Sequence, residues 1–275
     1  MVFNRRGSLA DEQQDKEFLA DEAYDDAGAL NMRDNIQAHY GSHPIAWYDW
    51  VWSHLHAREG MSWLDLGCGP GRLWWRQRGQ LPEDSRVLLT DLSPGMVTAA
   101  RSNLAGAGRA FHFALADSEK LPAASQSFSA VVALGLFDHL PALDACLAEA
   151  ARVLQPAGFL FASAGGRRHL QELEALVQPF LPDVSFGGSA DSFGLENGAG
   201  WLEPIFRHVA LYPYEDELIF YEAEPVVAYI RSEARVGRGL QGSLLAALAG
   251  NVAAVLAEGG AIRVTRQKGL FAAQL

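Results

Sequence analysis

The chain has 275 residues, 49% of them hydrophobic and 20% charged. That mix supports one large packed domain, or one domain with a modest appendage, rather than a disordered chain. Its formal net charge of −11 argues against binding nucleic acid through the phosphates, which wants a basic face.

Residues 1–30 are polar and acidic and read as a mobile arm or a loosely attached helix. Acids follow Arg5 and Arg6 at once, which is unlike a signal peptide. Residues 31–58 crowd Tyr40, Trp47, Tyr48, Trp50 and Trp52 among His39, His43, His54 and His56. Pro44 suits the first turn of a helix, with Ile45, Tyr48 or Asp49, and Trp52 following at helical spacing. These aromatics either pack the helix onto the main domain or roof a ligand pocket, and both can hold. Residues 1–58 are therefore taken as an arm and helical cap, and residues 59–275 as the main domain.

From Met61 strands and helices alternate. Strands are expected at Ser62–Leu66, Arg86–Asp91, Ala110–Ala116, Phe128–Leu134 and Gly158–Ala164. Ser93 is a good N-cap with Pro94 at the first helical position. Leu143, Leu147, Ala150, Ala151 and Leu154 fall on one helical face, and Pro156-Ala157-Gly158 ends that helix. Strands joined by such helices imply right-handed crossovers and a mostly parallel sheet. Residues 167–205 break the rhythm with a helix at His169–Phe180, a Gly/Ser-rich loop at Gly187–Gly194 and a short helix before Phe206; they read as an inserted lid. Strand signals return at Val209–Tyr212, Leu218–Tyr221, Ala261–Thr265 and Leu270–Ala273, the last pair bracketing Arg266-Gln267-Lys268-Gly269 as a hairpin-like turn. No apolar run approaches the roughly 18 residues of a membrane span. Two cysteines, Cys68 and Cys146, make neither a disulfide framework nor a zinc site, so no metal and a reducing cytoplasm are expected.

The most informative stretch is Asp65-Leu66-Gly67-Cys68-Gly69-Pro70-Gly71, between a strand and a helix. Alternate glycines let the backbone turn tightly and approach a ligand, and the following helix offers free N–H groups. Asp91 ends the next strand, where a carboxylate can take both hydroxyls of a ribose. A dinucleotide fingerprint needs a third glycine where Arg72 stands, and a phosphate-binding loop needs Gly-Lys-Ser/Thr; neither occurs. Asp65 would repel a pyrophosphate but suits the cationic end of a ligand.

These residues resemble the first motif of class I S-adenosylmethionine-dependent methyltransferases, and further motifs fall in register. Asp91-Leu92-Ser93-Pro94-Gly95-Met96 resembles that family's second motif, and Ala116-Asp117-Ser118 its adenine-binding turn. The resemblance spans about residues 60–165. It implies a Rossmann-like three-layer α/β sandwich with a seven-stranded, mostly parallel sheet, here with an N-terminal helical cap and an inserted lid. It further implies S-adenosylmethionine as cofactor. Gly67, Gly69 and Gly71 would lie beside its methionine moiety, with Asp65 near the ammonium and Leu134 and Gly135 beneath. Asp91 would take the ribose, Leu92 and Met96 the adenine faces, and Asp117 with Ser118 the adenine amino group.

The cofactor brings an electrophilic sulfonium, so the protein must align a nucleophile and exclude water. Groups able to assist are Asp138 and His139 after the fourth strand, His39 and His43 before the core, and His169 after the fifth; each also has an ordinary packing or surface role. Many related sequences carry an Asn-His pair where Leu134-Gly135 stands and an aromatic at Asp138. Methyl transfer to a small molecule in specialised metabolism is the leading expectation, with no nucleic-acid or membrane partner. Two alternatives stand beside it. One is a non-methylating reaction in which the cofactor's own amine attacks its γ-carbon, releasing methylthioadenosine and azetidine-2-carboxylate, with Tyr40 or Ser42 orienting the amine. The other is a non-catalytic cofactor-binding protein. Acceptor, pathway and oligomeric state are not given by the residues.

Overall fold

A computed structural model describes residues 27–275 apart from 109, 183, 185 and 187–191. The polar arm up to residue 26 and most of the Gly187–Gly194 loop lie outside these described residues.

Helices α1 (Gly28–Tyr40) and α2 (Trp47–His54) precede β1 (Ser62–Leu66). Then come α3 (Arg72–Gln77), β2 (Arg86–Asp91), α4 (Pro94–Asn103), β3 (Phe111–Leu115) and β4 (Phe128–Leu134). A single 3₁₀ turn, Phe137–His139, leads to α5 (Leu143–Val153) and β5 (Leu154–Gly165). Helices α6 (Gln171–Val177) and α7 (Gly198–Leu202) separate β5 from β6 (His208–Phe220). Helices α8 (Ala223–Ser232), α9 (Ala234–Gly239) and α10 (Gly242–Gly259) precede β7 (Ile262–Gln274). The seven strands form one sheet in the order β3-β2-β1-β4-β5-β7-β6. The first five are parallel to one another, and β7 runs antiparallel to both β5 and β6. The order reverses beside β1, and that switch opens a crevice at the carboxyl ends of the strands.

Side-chain alternation sends the strands' apolar residues to two faces. On one, Leu64, Val131 and Leu160 pack with Leu147 and Ala150 of α5. On the other, Trp63, Val87 and Phe161 pack with Trp50 of α2 and Trp74 of α3. A third core, above the sheet, joins Ile36 of α1, Leu173 of α6, Tyr229 of α8 and Leu248 of α10 to Leu218 and Val264 of the last two strands.

This third core rests on strands longer than expected. The stretches read as four short strands are two of 13 residues each, paired throughout from His208↔Gln274 to Phe220↔Ile262. Arg266-Gln267-Lys268-Gly269 is strand interior, not a turn, because its backbone pairs residue by residue with Asp216 back to Pro213 of β6. Arg266 lies opposite Asp216 and donates to it at 2.5 Å. Gly269 gives close packing, since a Cβ there would meet Leu195 Cδ2 at 2.8 Å. Pro213 is tolerated because β6 is the edge strand. β5 pairs only with residues 268–274 of β7, so the other half of the β6–β7 ribbon runs on past β5 and carries the helices above. Residues 222–260, which carry no expected element, form three helices.

Candidate functional site

One cavity opens at the switch point, at the carboxyl ends of β1, β2 and β4. Asp65, Asp91, Asp117 and Leu134 line it from the strands or the turns after them, with Gly67 and Gly69 between. Leu92, Ser118 and Met96 complete that side. Ser93 caps α4 as its pattern predicts: its Oγ accepts the Met96 N–H at 3.2 Å. Gly71, at φ 72°, starts α3 in the left-handed region, and a Cβ there would press Leu89, Ala100 and Leu104 at 3.2–3.3 Å. Glycine is therefore required both by conformation and by the packing of α3 against α4.

The two aspartates at the base differ in surroundings. Asp91 Oδ2 accepts the Gly69 N–H and Oδ1 the Ser93 N–H, both at 2.9 Å. Burial raises its pKa, and these N–H groups oppose the rise. Asp65 is buried and accepts from Trp74 Nε1–H at 2.7 Å. Burial pushes its carboxyl up to about 8, against the pull of the indole and with help from Asp91. Asp117 Oδ1 accepts the Glu119 N–H at 2.9 Å, which fixes the turn after β3. Gly135 N–H donates to Ser163 Oγ at 2.9 Å, pinning the turn after β4.

The cap closes the other side. Leu30 of α1 and Tyr48 of α2 line the cavity, as does Arg72. Tyr48 O–H points at both oxygens of Asp34, at 3.4 Å, and Arg72 Nε stands 3.4 Å from Asp34 Oδ2. Arg72 Nη2 also donates to Asn31 Oδ1 at 2.5 Å. Arg72, whose presence breaks the dinucleotide pattern, is thus the residue that ties the cap to the glycine loop. Burial raises the Asp34 carboxyl and the Tyr48 phenol.

The acceptor candidates separate into two groups. His139 lines the cavity, with Asp138 Oδ2 at 3.8 Å from its Nε2. Tyr40 and Ser42 stand away from it, at the link between α1 and α2. Tyr40 packs on Phe220 with ring centroids 4.8 Å apart. Ser42 gives both its N–H and its O–H to Asp216 Oδ1, at 2.8 and 3.1 Å. His43 lies over Tyr214, its centroid 4.3 Å away, and His39 against Tyr40. Tyr48 is one of the aromatics expected to pack or to roof a pocket, whereas its meeting with Asp34 and Arg72 escapes a reading by motif because the three come from separate elements and join only in the fold.

A family model described as a methyltransferase domain matches residues 64–158, the span of the glycine loop, both acid-bearing turns and β4. Residues 64–158 form a class I, S-adenosylmethionine-dependent methyltransferase domain. Over 118 residues the chain is 37% identical to the ubiquinone/menaquinone biosynthesis C-methyltransferase UbiE of Neisseria meningitidis, covering 40% of this chain and 47% of that protein. The corresponding protein of Chromobacterium violaceum is 39% identical over 120 residues, 40% of this chain and 48% of its own. The chain spans about half the length of the curated relatives it matches. Among solved structures, phosphoethanolamine N-methyltransferase 2 of Haemonchus contortus is similar with a TM-score of 0.58 at 16% identity, covering 95% of this chain and 59% of that one. The cyclase SpnF is similar with a TM-score of 0.58 at 15% identity, over 94% and 96%. These two likenesses show the fold.

S-adenosylmethionine is the cofactor of such a domain, and the residues of this cavity fit it. Asp91 accepts the Gly69 and Ser93 N–H groups on separate oxygens and keeps acceptor capacity for a hydroxyl. Apolar Leu92 and Met96 stand beside it for a flat base, and the carboxyl of Asp65 lies deeper, where a cationic end would favour its ionised form.

Proposed function

We propose that the protein transfers the methyl group of S-adenosylmethionine to a small-molecule acceptor in specialised metabolism. The observation that carries this reading is the gathering of Asp65, Asp91 and Asp117 from three strand ends into one cavity roofed by Leu30 and Tyr48. The cofactor supplies the electrophilic methyl; the protein binds, orients and excludes water. Asp91 holds the ribose hydroxyls, Leu92 and Met96 the adenine faces, and Asp117 with Ser118 the adenine amino group. Gly67, Gly69, Gly71 and Asp65 surround the methionine portion, over the Leu134 turn. His139 and Asp138 stand at the acceptor side, where His139 can take a proton from an oxygen or nitrogen nucleophile.

The cap residues over the cavity and the acidic chain favour a small acceptor over a macromolecule. No helix among the described residues is long and apolar enough to cross a membrane. The curated relatives are named C-methyltransferases, which places carbon among the acceptor atoms to be tried. The cyclising alternative leans on the hydroxyl of Tyr40 or Ser42, and the Ser42 hydroxyl is bonded to Asp216 outside the cavity. Mass spectrometry of the protein with S-adenosylmethionine, alone and with candidate acceptors, tests the reading. Expected is S-adenosylhomocysteine only when an acceptor is present. Methylthioadenosine at enzymatic rate from the cofactor alone would overturn it.

A further inference from the structure

Beside the cofactor cavity, under the cap, one basic side chain has no carboxylate partner. Arg266 pairs with Asp216, Arg72 with Asp34, and Arg33 with Glu233. Lys268 is left over: among the described residues no carboxylate lies within ion-pair distance of it. Its ammonium sits on the ring of Trp47, 3.9 Å from the centroid. Two further donors stand near it without partners among the described residues. Arg266 is 2% exposed, and its Nε makes no hydrogen bond; His169 Nδ1 is buried and likewise unbonded. Arg266 and Lys268 are two apart in β7 and so share a face, opposite Asp216 and Tyr214 of β6.

This cluster stands at the same edge of the sheet as the glycine loop. Lys268 is opposite Gly165, at the carboxyl end of β5, and Ser163 of that strand holds the turn after β4. Asp34 links the two places: it meets Tyr48 and Arg72 on the cavity side and is an electrostatic neighbour of Lys268 on the other. Asp138, adjacent to cavity-lining His139, is a second such neighbour. Leaving the buried Arg266 Nε and His169 Nδ1 unsatisfied costs stability unless a ligand completes them. The chain has three lysines, at 16, 120 and 268, among 22 basic residues. It therefore uses a compact point charge here in place of its usual arginine.

We propose that Lys268 anchors a carboxylate of the acceptor substrate, with Arg266 behind it and the His169 imidazole beside it. This rests on the methyl-transfer reading and names the acceptor class: a small organic acid, held by its carboxylate while another of its atoms faces the methyl group. Asp34 and Asp216 are already paired with arginines, so an added carboxylate would be the partner that Lys268 lacks and would favour its protonated form.

The test uses the full chain saturated with S-adenosylhomocysteine and two matched probes, benzoate and benzamide. Calorimetry is expected to show benzoate binding at least tenfold more tightly than benzamide. In Lys268→Met, which keeps an apolar stem over Trp47, the two probes should bind alike while S-adenosylhomocysteine affinity stays within twofold. Should that variant fail to fold, side-chain NMR of the lysines in the unaltered protein decides: benzoate should shift the Lys268 Nζ signal and leave exposed Lys120 unmoved. Equal binding of both probes to the unaltered protein, a preference that persists in Lys268→Met, or an unresponsive Lys268 signal would overturn the proposal. Failure of the unaltered protein to bind S-adenosylhomocysteine would instead overturn the methyl-transfer reading.

Discussion

Asp65 couples the cofactor cavity to pH. Burial lifts its carboxyl from 3.8 to about 8, so between those values the folded chain holds a proton that the unfolded chain has lost. The unfolded state then binds fewer protons, and this group's contribution to stability falls as pH rises from about 4 to about 8. Asp65→Asn is expected to flatten that part of the profile; urea midpoints at pH 5 and pH 8 that change as in the unaltered protein would refute it. Binding a cationic ligand end should expel the proton, which calorimetry in two buffers of different ionisation enthalpy detects. Asp91→Ala should weaken S-adenosylmethionine binding by roughly 1.5–3 kcal/mol, the worth of a charge-assisted hydrogen bond; unchanged affinity would remove Asp91 from the site. At this scale the sequence was readable where chemistry is local. The glycine loop, Asp91 and the Ser93 cap lie within motifs a few residues long. Asp34, Tyr48 and Arg72 do not, and Lys268 was hidden in a polar run that looks like a turn.

The linker between α1 and α2 is held by one carboxylate. Asp216 Oδ1 accepts the N–H groups of Ser42, His43 and Glu217, and Oδ2 takes Arg266. Asp216→Ala leaves Arg266 buried without its counter-charge, at an expected cost of about 3–5 kcal/mol. Urea unfolding measures it, and a loss under 1 kcal/mol would show that the pair is not buried as described. The same change should speed amide exchange across α1. Strand lengths explain why this latch was not legible. Val209–Tyr212 and Leu218–Tyr221 carry the apolar signal, while the residues between, Pro213 to Glu217, are polar or punctuating. They are held in the strand by partners on β7 more than 40 residues away in sequence, and no local pattern reports such pairing.

Taken whole, the molecule has a sheet with a core on each face and a third core raised above it by the β6–β7 ribbon. The cofactor cavity lies where the raised part meets the sheet, and Arg72 spans that seam. Arg72→Met should speed cofactor release about two- to fivefold, the scale of a partly exposed ion pair, with little change in Tm; stopped-flow displacement of S-adenosylhomocysteine measures it, and an unchanged rate would mean the cap does not gate exit. The parallel sheet was readable as a whole because each crossover repeats one pattern, whereas the raised core depends on contacts between α1, α6 and α8, which lie far apart along the chain. The placement of β7 also bears on biosynthesis. It sits between β5 and β6 yet follows both in translation order. Until the ribosome has delivered it, β5 lacks a neighbour on one side and β6 lacks its only one, and unpaired strand edges invite pairing with other chains. Nascent chains halted near residue 250 should therefore remain protease-sensitive through β5 and depend on chaperones, and resistance should appear only once residue 274 has cleared the exit tunnel. Resistance of β5 in the shorter chains would show that the parallel half folds without waiting.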